Sequence, residues 1–189
     1  DTYTAEVGQQ TLRSYIPKQL LLVGSASYND DGSTTEGTAE GGRQIVLYSV
    51  NDFNFELEQI QSYAHVMHHE FAHILHQNVE YDAEFEKITP SYSSSWMQMN
   101  DETARSKGFI TAYASSSADE DFAEMVSIML TNSPEDWNNM IESAGNAAAV
   151  EALRKKEAIV VAYMKNNWGV NMKDFQKEVV AAIKAAVRN

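Results

Sequence analysis

The sequence predicts an α+β fold, in which a small N-terminal sheet packs on one long helix and a mainly helical C-terminal part follows. Three observations predict it. The first 50 residues hold two short, partly alternating apolar stretches separated by polar, Gly-rich sequence. From Asn54 the apolar spacing turns helical, with no Pro or Gly before Pro90. The chain of 189 residues is 43% hydrophobic and 22% charged, a balance that suits one globular domain with a real core. A single domain over 1–189 is expected, with 1–53 as strands and loops and 54–189 mainly helical.

"QLLLVGSASY" (19–28) and "RQIVLYSV" (43–50) read as strands, and the "NDDGSTTEGTAEGG" between them as a long mobile loop. The second strand could offer its edge to an extended peptide, although a core strand is the simpler reading. A helix is expected over 55–78. At 100° per residue His65, His69, His73 and His76 fall within about 80° of one another. Ile60, Tyr63, Met67, Phe71 and Ile74 lie opposite, so one face suits the core and the other suits chemistry or solvent. Residues 79–116 read as irregular, and "ITPSYSSSWMQMND" could line a cleft or pack on itself. Helical signals return over 117–130. Ser133 then caps a helix with Pro134 in its first turn and Gly145 as its stop. Two amphipathic helices, about 148–166 and 172–188, close the chain, with Asn171 capping the second.

A formal net charge of −13 argues against a nucleic-acid partner, because a phosphate backbone calls for a basic surface. The chain has no cysteine, which excludes disulfides and thiolate metal sites within it. No apolar run approaches the ~20 residues of a membrane-spanning helix. The chain begins "DTYTAEVG" without Met, which suggests a processed or trimmed form in which a targeting segment would not be visible.

All five histidines lie in "YAHVMHHEFAHILHQ" (63–77), which contains the HExxH pentapeptide His69-Glu70-Phe71-Ala72-His73. Residues four apart on a helix lie one above the other, so His69 and His73 can present imidazole nitrogens to one Zn²⁺. Glu70, at the edge of that face, is placed to act as a general base on water. A solvated histidine face that spells the motif by chance is the competing reading, and a third ligand decides between them. The metzincin extension fails, because the positions for its Gly and third His are His76 and Val79. Glu80, Asp82, Glu84 and Glu86 follow too closely to fold back. "ADEDFAEMVSIML" is the better source, with Glu120 and Glu124 on one helix face. An acid-rich helix N-terminus would account for Asp119, Glu120 and Asp121 but not for Glu124, which sits in an apolar run and needs a partner. The economical pairing puts Glu120 on the metal and Glu124 on the free ring nitrogen of a ligand histidine.

These residues resemble the gluzincin metallopeptidases. Within them the chain is most similar to zinc-binding metallohydrolase lipoproteins encoded beside nutrient importers in Gram-negative gut anaerobes. The shared motifs are "HEFAHILHQ", "EDFAE" and the terminal "AYMKNNWGVNMKDFQKEV", in order over roughly 60–180. The resemblance implies a zincin-like fold and one Zn²⁺ on His69, His73 and Glu120, with Glu70 as base and Glu124 supporting a ligand. Similarity to lethal-factor-like gluzincins, with a Tyr seven residues before the ligand Glu, implies that Tyr113 donates to the developing oxyanion; a packing tyrosine is the alternative. It also implies export to the cell envelope, an N-terminal lipid anchor and an outer-membrane importer as partner. The anchoring Cys is absent from this chain.

The expected activity is zinc-dependent hydrolysis of an amide bond, most simply in a peptide. The alternatives are a non-catalytic, zinc-containing envelope component that captures substrate for an importer, and a hydrolase of non-peptide amides. His65 and His76 could line the cleft or bind substrate, although hydrogen-bonded or solvated histidines are the simpler reading, and His68 points off the stripe. Trp96, Met97 and Met99 could form a substrate pocket or pack within their own loop.

Overall fold

The computed structural model describes residues 14–30 and 32–187. The strand-and-loop reading of residues 1–13, and the last residue of the helix expected to reach 188, lie outside them. The fold is α+β as expected, with a small N-terminal sheet and a mainly helical remainder. The strands are β1 (Gln19–Leu22), β2 (Ser27–Tyr28), β3 (Thr34–Thr35), β4 (Gly37–Glu40) and β5 (Gln44–Leu47). The helices are α1 (Leu57–Asn78), α2 (Glu84–Ile88), α3 (Asp101–Ser106), α4 (Ala118–Thr131), α5 (Pro134–Glu142), α6 (Ala147–Trp168) and α7 (Met172–Ala186).

The sequence 29–42 is not one long loop. It contributes β3, which pairs with β2 in a small antiparallel hairpin, and β4, which becomes the third strand of the main sheet. That sheet runs β1-β5-β4, with β1 parallel and β4 antiparallel to β5. Gly41 and Gly42, both at positive φ (58° and 65°), turn the chain between β4 and β5, a conformation glycine adopts without a Cβ penalty. β5 is the central strand, with Ile45, Val46 and Leu47 buried, so among the described residues the sheet edge near α1 belongs to β4 and not to "QIVLYSV". β4 can lie close to α1 because it begins with Gly37. A Cβ there would stand 2.5 Å from Val66 Cγ1 and 3.1 Å from the carbonyl of Val46.

Helix α1 is a continuous run without Pro or Gly, begun by a side-chain turn in which Asn54 Oδ1 accepts from the N–H of Glu56. Its histidine face is not turned to solvent. Helix α4 packs along it, and both His69 and His76 are buried. Tyr63 fixes the other flank by donating its hydroxyl to the carbonyl of Tyr48 at 3.1 Å.

Helix α4 is buried on nearly every side, from Asp121 to Thr131, against α1, α6 and α7. Ser117 caps it by accepting from the N–H of Glu120. At its other end Gln176 of α7 donates to the carbonyls of Met129 and Asn132, which the helix leaves unpaired. A fully buried ion pair braces its first turn. Lys156 of α6 reaches Asp121 Oδ2 and the carbonyl of Gly108, and Tyr92 donates to the same carboxylate at 3.0 Å. The Lys156 ammonium also sits 4.3 Å from the centre of the Phe109 ring.

The caps expected at Ser133 and Asn171 are present, with Pro134 opening α5 and Gly145 at φ 77° beyond its end. Residues 79–116 are largely irregular, interrupted by α2, α3 and single 3-10 turns at Trp96–Gln98 and Tyr113–Ser115. Among the described residues no helix is long and apolar enough to cross a membrane.

Removing one member of a buried ion pair strands the other charge. Lys156→Met is expected to lower unfolding stability by about 3–5 kcal/mol, read from urea unfolding midpoints, and a second substitution, Asp121→Asn, should recover part of the loss.

Candidate metal centre

The two turns of α1 that carry HExxH face the first two turns of α4. Across that junction His69 Nε2 lies 2.9 Å from Glu120 Oε2, His73 Nε2 lies 3.1 Å from the same oxygen, and the two Nε2 atoms are 3.0 Å apart. Two imidazole nitrogens and a carboxylate oxygen thus converge on one point, from residues i, i+4 and a second helix. Zinc takes nitrogen ligands at ~2.0–2.1 Å and carboxylate oxygens at ~2.0–2.2 Å, so donors this close can all reach one ion. The donor set fits a hydrolytic zinc site, in which three protein ligands leave a further position open.

His69 carries its other ring nitrogen, Nδ1, to Glu124 Oε1 at 2.8 Å. Glu124 is buried, and three groups from two segments surround it. Besides His69, His65 Nε2 stands 3.1 Å from Oε1, and Thr111 donates its hydroxyl to Oε2 at 2.6 Å. Burial alone would raise the Glu124 carboxyl, but the charges and hydrogen bonds of His65 and His69 hold it well below the usual carboxylate range. His65, His69 and Glu124 also lie close enough to one another to hold an ion. In that second set His69 offers Nδ1 and not the Nε2 that faces Glu120 and His73, and the other oxygen of Glu124 accepts from Thr111. Glu120 thus lies against the Nε2 atoms of His69 and His73, and Glu124 against Nδ1 of His69.

Without a metal, the protons follow the charges. Burial opposes a charge on His69, but the hydrogen bonds it donates to Glu120 and Glu124 raise its pKa to about 10. Burial likewise pushes Glu120 up, and His69 and His73 reverse this and bring it down to about 2. A second histidine pair lies beside the donors, with His73 Nδ1 2.8 Å from His76 Nε2. Burial, then the neighbouring His73, lowers the pKa of His76. His68 turns off the stripe against Phe175, and burial brings it down to about 4.

Glu70 lies on the cleft side of α1. Burial raises its pKa, while His69 and His73 oppose the rise and the backbone N–H of Ala39 on β4 hydrogen-bonds the carboxylate. Tyr113 occupies the 3-10 turn before α4, with its ring 5.8 Å from that of His69 and its hydroxyl hydrogen-bonded to Glu120. Burial first, and then Glu120, raise the phenol well above its ordinary value, so it keeps its proton. A cleft of about 340 Å³ opens beside these groups, walled by Thr35, Gly37, His65, Glu70, Trp96 and Tyr113. Trp96 packs edge-on against Tyr113 at 4.9 Å and forms part of that wall, whereas Met97 is exposed and neither it nor Met99 lines the cleft. Thr111 and the β4 backbone are the members of the site that the sequence did not point to. A threonine in an irregular stretch and a strand read as loop carry no periodic signal.

An HExxH helix is set against a small sheet, and a carboxylate from a second helix stands beside its two motif histidines. The chain belongs to the family described as "Putative zinc-binding metallo-peptidase", whose profile matches residues 1–173. The crystal structure of a "putative zinc-binding metallo-peptidase" from Bacteroides caccae ATCC 43185 is similar to it at 34% identity and a TM-score of 0.82, over 98% of this chain and 72% of that one. No curated protein matches the chain significantly.

The site also sets a pH profile for the metal-free protein. His69, raised from 6.5 to about 10, contributes stability that is complete below pH 6.5 and lost as pH rises toward 10. Glu120, lowered from 4.5 to about 2, contributes stability that is present above pH 4.5 and lost as pH falls toward 2. Chelator-treated protein should therefore show its highest melting temperature between about pH 4.5 and 6.5 and decline on both sides, as thermal melts across pH will test.

Proposed function

We propose that the protein is a zinc-dependent peptidase of the gluzincin type, with His69, His73 and Glu120 as ligands and Glu70 as general base. The observation that carries this reading is the convergence of His69 Nε2, His73 Nε2 and Glu120 Oε2 within 3.1 Å of one another. Zinc held there supplies Lewis acidity that polarises a carbonyl and lowers the pKa of water at the site toward ~7. Glu70 takes the proton of the attacking water and returns it to the leaving nitrogen. Its burial suits the role, because a raised carboxylate pKa lies nearer to neutral pH. Tyr113, held protonated, swings its hydroxyl from Glu120 to the carbonyl oxygen as negative charge develops there. Glu124 holds the proton of His69 on Nδ1 and so leaves Nε2 free for the metal.

An extended peptide fits this site because, among the described residues, β4 ends the sheet beside the cleft. Its backbone edge can pair with a substrate strand once Glu70 turns from the N–H of Ala39 to the water it activates. Export to the cell envelope, lipid anchoring and action beside an outer-membrane importer belong to the same proposal, on the strength of the resemblance.

Purified protein should contain one zinc per chain and cleave members of an unbiased peptide library. Glu70→Gln should keep the zinc and lose activity by about 10²–10⁴-fold. Tyr113→Phe should keep the zinc and lose on the order of 10²-fold in kcat. Absence of stoichiometric zinc at neutral pH would remove the metal assignment. Full activity in Glu70→Gln would remove Glu70 as base, and stoichiometric zinc without cleavage of any peptide or amide would favour the non-catalytic reading.

A further inference from the structure

A histidine that binds a metal through Nε2 must carry its proton on Nδ1, and something must hold that proton in place. His69 has Glu124 for this purpose. His73 Nδ1 faces another histidine, His76, whose Nε2 lies 2.8 Å away. We propose that His76 is a positioning residue of the metal site, accepting the Nδ1 proton of His73 and so fixing His73 in the tautomer that leaves its Nε2 free for the ion. The inference rests on the zinc reading above.

The geometry constrains the protons along a short chain. A neutral imidazole has one donor and one acceptor nitrogen, so His76 can accept from His73 at Nε2 only if its own proton sits on Nδ1. That nitrogen points toward Asp119 Oδ1 at 4.0 Å, too far for a hydrogen bond but close enough for the carboxylate to favour a proton there. Asp119 is held in turn, accepting the Tyr81 hydroxyl at 2.7 Å. The order His73 to His76 to Asp119 thus runs in one direction, with every proton pointing away from the metal donors.

The imidazole of His76 is not free to turn. It is buried, edge-on to Tyr81 at 5.6 Å and to Phe122 at 6.0 Å, and those two rings stack on each other at 4.4 Å. Phe122 belongs to α4, two residues beyond Glu120, so the element that supplies the carboxylate also clamps the ring behind His73. A histidine that only filled space here would need neither nitrogen aligned with a neighbour. The HExxH motif thereby extends to a functional HExxHxxH, whose last histidine acts through His73 and not on the ion.

The test compares zinc dissociation constants of the wild type, His76→Phe and His76→Gln, by competition with a chromophoric chelator, alongside melting of each metal-free protein. Phenylalanine suits the aromatic surroundings but offers no acceptor. His76→Phe should bind zinc about 10–100-fold more weakly while its metal-free melting temperature stays within a few degrees of wild type. Glutamine places an amide oxygen near the position of Nε2 and should recover most of the affinity. If His76→Phe does not fold, His76→Met against His76→Gln makes the same comparison. Wild-type zinc affinity in the variant without an acceptor would overturn the inference and leave the zinc site standing. Equal losses in both variants would mean a packing role and would also overturn it. Failure of the wild type to bind zinc would overturn the zinc reading together with the inference.

Discussion

Glu124 is a charged carboxylate inside a helix whose neighbours are apolar, and much of the molecule is arranged around keeping it satisfied. An unpaired charge at that depth costs several kcal/mol, so the fold must deliver donors to both oxygens. It does so with His65 and His69 from α1 and Thr111 from the segment before α4. Those contacts hold α1 and α4 in one rotation about their axes. The same rotation brings Glu120, one turn earlier, onto His69 and His73.

Around this junction the neighbouring elements act as supports. The Lys156–Asp121 pair and Tyr92 hold the first turn of α4 from behind, while Gln176 closes its last carbonyls. β4 approaches α1 from the opposite side, close enough that its Ala39 N–H reaches Glu70, and the missing side chain of Gly37 makes the approach possible. A carboxylate proposed as general base is thus held by a strand backbone, and among the described residues that strand is the edge of the sheet beside the cleft. Rigid elements on both sides suit a site whose donors must stay within a few tenths of an ångström of one another.

The long helices were legible in the sequence because their signals are local. Uninterrupted periodicity marked α1, and Ser133, Pro134 and Asn171 marked the starts of α5 and α7. β4 was not legible. "GTAE" has a single β-branched residue, Thr38, and no aromatic one, and it pairs because the buried strand β5 needs a neighbour on that side. The histidine stripe was read as a face for chemistry or solvent. It proved to be an inter-helix face, because α4, itself buried almost all round, covers it.

By itself the sequence determined that His69 and His73 share a face with Glu70 at its edge, since helical geometry places residues four apart together whatever surrounds them. It also determined that Glu120 and Glu124 present their carboxylates in one direction from a second helix. Which oxygen meets which ring nitrogen was decided by the crossing of α1 and α4, while the partnership of Thr111 with Glu124 depends on the segment before α4 and that of β4 with Glu70 on the packing of the sheet against α1. Those contacts join residues distant in the chain, and they exist only where packed cores set the distance and rotation between elements. His76 stands between the two cases. Its place one turn from His73 was set by the helix, but the aromatic pair that holds its ring comes from Tyr81 and Phe122, which only the tertiary structure brings together.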